Sequence, residues 1–103
     1  MGFTDAHILI QLRATRALLK FCEDHRYPPE RLAKLRQCLE YLDAGSIEKA
    51  YDRYEAIPLG GKKCFNDWLP PVVFEHEDSE YVWAVFEALC DHWSRMMKLA
   101  FKP

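Results

Sequence analysis

Seven apolar side chains, Val82, Val85, Phe86, Leu89, Trp93, Met96 and Ala100, follow one another at spacings of 3, 1, 3, 4, 3 and 4 residues. A helix of about 3.6 residues per turn gathers such a series onto one side, whereas a strand would scatter it over both faces. A long amphipathic helix has to be covered by other apolar surface, and the rest of the chain supplies three further stripes. Ile8, Leu12, Leu19 and Cys22, with Leu9 and Leu18 beside them, predict a helix from a Thr4 cap to about His25. Leu32, Leu35, Leu39 and Leu42 predict a second, with Pro29 as its first residue and Ala44-Gly45 as its end. Ile47, Ala50, Tyr51 and Tyr54 predict a third, capped by Ser46 and finished before Pro58.

The breaks are as informative as the stripes. Tyr27-Pro28-Pro29 separates the first two helices, because proline excludes the helical conformation from the residue before it and has no amide to donate. The turn between the second and third is so short that they must pack antiparallel. The last helix begins at Asp78 or Ser79, with Glu75, Glu77, Asp78 and Glu80 around its positive end and Lys98 and Lys102 at its negative end. The expectation is therefore an all-α fold: an antiparallel bundle of about four helices in one domain, residues 1–103, with one long irregular loop before the last helix. A chain of 103 residues can close one core but not two.

No run of about 18 apolar residues is present, and Met1-Gly2-Phe3-Thr4-Asp5 lacks the basic start and apolar stretch of a secretory signal. A myristoylation site would need Ser or Thr where Ala6 stands. These features predict a cytoplasmic protein with no membrane attachment. Cys22, Cys38, Cys64 and Cys90 form no Cys-x-x-Cys pair and are expected as free thiols.

Charge is uneven along the chain. Residues 1–36 carry seven basic and four acidic side chains, a balance of +3, so the remainder of a chain of net charge −2 carries −5. No Lys or Arg lies between Lys63 and Arg95, while Asp67, Glu75, Glu77, Asp78, Glu80, Glu87 and Asp91 do. An acidic surface there favours a basic partner and repels nucleic acid. A solvated helix face and a helix start that prefers carboxylates account for the same pattern equally well.

From Pro58 to Glu77 helical periodicity is lost, and structureless loops of this length are usually functional. Val72-Val73-Phe74 suits a short extended segment, but a lone strand has nothing to pair with. In a structural reading, Gly60 and Gly61 permit positive φ, Asn66 and Asp67 form side-chain turns, and Phe65, Trp68, Leu69 and Phe74 plug the end of the bundle around Cys64. In a functional reading, Asn66, Asp67, Trp68, Glu75, Glu77, Asp78 and Glu80 form a surface for a basic protein, with Trp68 and the tyrosines as anchors.

Catalytic and metal chemistry find less support. Zinc needs three or four converging ligands; Cys22 and His25 supply two at most, and Cys90 and His92 lie on different faces of their helix, leaving a core thiol and surface histidines as the expectation. Cys64 with His76 and Asp67 lacks a recognisable nucleophile-base spacing, and Gly60-Gly61-Lys62-Lys63 lacks the phosphate-loop pattern. Glu75, Glu77 and Asp78 do not follow a calcium-loop register. No catalytic residue, metal or cofactor is assigned.

Leu59-Gly60-Gly61, then two residues, then Cys64-Phe65-Asn66-Asp67 resembles the Gly-Gly-Met-Gly-Ser-Leu-Asn-Asp signature of small bacterial helical proteins, some of them similar to immunity proteins of toxin systems. The resemblance covers about ten residues; Lys62-Lys63 replaces Met-Gly, and Cys64 replaces Ser. It implies a non-catalytic cytoplasmic inhibitor, monomeric or weakly dimeric, that caps a cognate basic toxin, often a nuclease, through a charge-complementary surface. Two alternatives stand beside it: a small enzyme or ligand-binding protein working through Cys64, His76 and Asp67, and an adaptor subunit that oligomerises through apolar helix faces.

Overall fold

The computed structural model describes residues 5–59 and 64–99. Among them are four α-helices: α1 (Asp5–Asp24), α2 (Ala33–Asp43), α3 (Ile47–Glu55) and α4 (Ser79–Leu99). A 3-10 turn, Pro29–Leu32, precedes α2, and no strand is formed among the described residues. The fold is an all-α bundle. Thr4, the Gly60-Gly61-Lys62-Lys63 stretch, Ala100 and Lys102 lie outside the described residues.

Two helix ends share one solution. At the end of α1 the Tyr27 amide donates to the Cys22 carbonyl at 2.9 Å and the Arg26 amide to Glu23 at 3.4 Å, with Arg26 at φ 65°. At the end of α2 the Ser46 amide donates to Tyr41 at 2.7 Å and the Gly45 amide to Leu42 at 3.0 Å, with Gly45 at φ 77°. Both are Schellman closures, in which a left-handed residue lets the chain fold back on the last carbonyls. α1 thus ends at Asp24, four residues ahead of Pro28. Pro29 opens the 3-10 turn rather than α2 itself, a correction to the expected boundary. Ser46 stands where the sequence puts a cap, but its side chain makes no capping bond.

Neighbours run antiparallel. Arg36 near the start of α2 reaches Glu23 near the end of α1 at 3.0 Å, and Asp43 at the end of α2 reaches Arg16 at 3.7 Å. Lys34 Nζ donates to the Ala56 carbonyl at 3.2 Å, bringing the start of α2 to the end of α3. Gln11 donates its amide to the Met96 carbonyl at 3.0 Å, which sets the beginning of α1 against the end of α4. The same amide lies 3.3 Å from the Met97 carbonyl, so Gln11 meets the last described turn of α4 from the side.

The core is apolar around a polar seam. Leu18, Cys22, Leu35, Cys38, Ala50, Val82, Phe86, Trp93 and Met97 are all 0% exposed. Gln11 and Thr15 lie among them, although neither belongs to the apolar stripe expected on α1. Trp93 Nε1 donates to Thr15 Oγ1 at 3.0 Å, and that hydroxyl donates to the Gln11 carbonyl at 2.7 Å, so each buried donor finds an acceptor. The stripe of α4 is rotated from the predicted one: Cys90 and Met97 are buried, whereas Val85, Leu89 and Met96 are half-buried. On α1 and α2, Leu9 is exposed and Leu39 half-buried. Burial raises the Cys38 and Cys90 thiols to about 12, the latter helped by Glu87, and pushes the Cys22 thiol up as well. All three behave as neutral core side chains.

Candidate functional site

The loop before α4 is irregular but pinned to the bundle by residues 25–31. His25 is 3% exposed, not a surface histidine as the sequence led one to expect, because the Schellman closure turns it back under the loop. Its ring stacks on Phe21 with centroids 3.9 Å apart, and Nδ1 donates to the Phe21 carbonyl at 2.9 Å. Nε2 lies 2.7 Å from Glu77 Oε2, with both side chains 4% exposed. The other oxygen of Glu77 accepts the amides of Val73 and Phe74, each at 3.0 Å. Burial alone would raise the Glu77 carboxyl, but the Phe74 and Val73 amides and the His25 ring outweigh it and hold the group at about 2. One carboxylate thereby folds residues 73–77 into a turn and fastens that turn to α1.

A second fastening lies at the front of the loop. Tyr27 is 1% exposed; its hydroxyl donates to the Phe65 carbonyl at 2.7 Å and its ring stacks on Phe65 at 4.8 Å. Trp68 meets Tyr27 edge-on at 4.6 Å and Phe86 at 5.0 Å. Arg31 lies over the Tyr27 ring at 5.3 Å and donates to the Cys64 carbonyl at 3.2 Å. Phe65 and Trp68 plug the bundle as expected of them. Leu69, at 76% exposed, and Phe74, at 44%, do not.

The residues assigned to a binding surface therefore divide. Glu77 points inward. Asp78 caps α4, its Oδ1 accepting the Tyr81 amide at 2.8 Å, and Trp68 is half-buried. Glu75 and Glu80 are exposed, as is Asp67, while Asn66 is half-buried. Gly60 and Gly61 lie outside the described residues; Cys64 is half-buried and Phe65 buried. His76 packs between Phe74 at 6.1 Å and Tyr81 at 5.8 Å, making an aromatic row on one flank of the α4 start.

Outward-facing apolar groups concentrate here. Of the eight large hydrophobics exposed among the described residues, Leu69, Val72, Phe74, Tyr81 and Trp83 fall between positions 69 and 83. Compared with known protein families, with curated proteins and with solved structures, the chain matches none. The site is accordingly read from its own chemistry. No group of three or more His, Cys, Asp or Glu among the described residues could hold a metal ion. No helix of the described residues is long and apolar enough to cross a membrane.

Trp83 and the His25–Glu77 pair were not singled out by sequence. Trp83 had a signal, since a large aromatic beside Val82 falls off the stripe that buries Val82 and Phe86 and must face elsewhere. The pair spans 52 residues, and no local spacing announces it.

Proposed function

We propose that this chain is a non-catalytic protein-binding domain for a basic protein, acting in the cytoplasm, as a monomer or weak homodimer, as an immunity-type inhibitor that covers a cognate toxin such as a nuclease. The observation that carries the reading is the run of exposed Leu69, Val72, Phe74, Tyr81 and Trp83 in an interval without a single Lys or Arg and with Glu75 and Glu80 exposed beside them. Exposed apolar groups concentrated in a segment of one sign of charge favour an interaction surface, and acidic rims speed and select basic partners. Its two fastenings to residues 25–31 also favour binding, since a loop already ordered has less entropy to lose. The toxin-directed part rests on the resemblance of Gly60-Gly61 and Cys64-Phe65-Asn66-Asp67 to the immunity-like signature.

Calorimetric titration with the product of the adjacent upstream gene, at low and high salt, tests this. Tight binding that weakens with salt and abolishes the activity of that product supports the proposal. Absence of binding by a well-folded product sinks the pairing.

A further inference from the structure

Beside the aromatic loop, α4 carries a second recognisable feature. A cleft of about 470 Å³ opens between the loop and α4, lined by Leu59, Asn66, Glu87, Cys90, Asp91 and Ser94. Its two carboxylates stand four residues apart, so they occupy successive turns of one helix face. Trp83 stands one turn before Glu87 on the same ridge, 47% exposed. Between the carboxylates the wall is Cys90, whose thiol burial keeps neutral, and Leu59 adds an apolar surface from the loop. Asn66 and Ser94 complete the wall, with Ser94 held by the Tyr54 hydroxyl at 2.6 Å.

We propose that this cleft seats an arginine side chain from a basic segment of the protein partner, with an apolar neighbour of that arginine resting on Trp83. The proposal rests on the protein-binding reading above and names the contact through which it works. Charge complementarity selects the occupant: two carboxylates line one cleft whose other described lining residues, Leu59, Asn66, Cys90 and Ser94, carry no charge. Arginine suits it better than lysine, because a planar guanidinium can bridge two carboxylates while its methylenes lie on Leu59 and Cys90. Arg95 already reaches Asp91 at 3.0 Å, but the two side chains are 73% and 61% exposed, so this surface pair yields readily to a better-placed cation.

A hexa-arginine peptide titrated into the isotopically labelled protein at low salt, followed residue by residue by NMR, tests the proposal. Expected are shifts centred on Leu59, Asn66, Trp83, Glu87 and Asp91, weaker with hexa-lysine, and a loss of affinity of about three- to tenfold in E87Q/D91N, as two partly screened contacts disappear. The double variant changes only exposed positions, and an unchanged spectrum elsewhere establishes that it is folded. Shifts confined to Glu75 and Glu80, or insensitive to E87Q/D91N, overturn the cleft while leaving the acidic binding surface standing. No binding to any face overturns both.

Discussion

Glu77 accepts a 2.7 Å hydrogen bond from His25 Nε2 and thereby ties the turn ahead of α4 to the end of α1. The sign of the pH effect follows from Glu77, which is held at about 2 when folded and returns to an ordinary 4.5 when unfolded. Its contribution is fully present above 4.5 and is lost as pH falls towards 2. Thermal melts of the protein and of Glu77→Gln across acidic pH should therefore show a gap in Tm that closes as pH falls from 4.5 towards 2. A gap that widens with acid would contradict this account.

Arg26 occupies a left-handed conformation that Gly45 occupies without strain. Arg26→Gly should stabilise the protein by about 0.5–1 kcal/mol, the relief of a side chain at positive φ less the extra freedom of glycine when unfolded. Gly45→Ala should cost about 1 kcal/mol. Its added Cβ would meet nothing within 4 Å, so the loss is one of backbone conformation alone. Urea denaturation of both variants measures the pair.

Thr15 is the hinge of the buried polar seam. Thr15→Val keeps the shape but leaves Trp93 Nε1 without its acceptor in a site that is 0% exposed, at a cost of about 1–3 kcal/mol. Thr15→Ser keeps the hydroxyl and should lose less. If Thr15→Val unfolds at the same urea concentration as the unaltered protein, the hydrogen bond contributes nothing.

Binding and stability should separate at the exposed aromatic end. Leu69→Ser, at a position 76% exposed, should shift stability by no more than about 0.5 kcal/mol. Trp83→Ala should cost about 1 kcal/mol in stability but about 2 kcal/mol in partner affinity, about thirtyfold in Kd, as tryptophan anchors do. Equal effects on melting and on affinity would mark Trp83 as a packing residue.

The helices could be read from the chain because each depends on its own neighbours: the 3- and 4-residue spacings, the prolines after Tyr27 and the Ala44-Gly45 stop are local facts. What escaped the sequence depends on distant partners. Gln11 and Thr15 look like surface residues until the carbonyls of α4 and Trp93 Nε1 are beside them. Cys90 and Met97 displace the half-buried Val85, Leu89 and Met96 because α1 and α3, not α4 alone, decide which side of the helix is covered. At the loop, Phe65 was legible from its hydrophobicity. Glu77 was not, since a carboxylate in an acidic run carries no sign that a histidine waits under the loop to receive it.

Because Gln11 grips the end of α4, the beginning of α1 and the end of α4 lie together at one end of the bundle, while His25, Glu77 and the aromatic loop lie at the other. Helices of 20 and 21 residues hold these ends about 30 Å apart. A fluorophore or a tether to a sensor chip attached at an exposed position near the beginning of α1 therefore leaves the aromatic end facing away from the support.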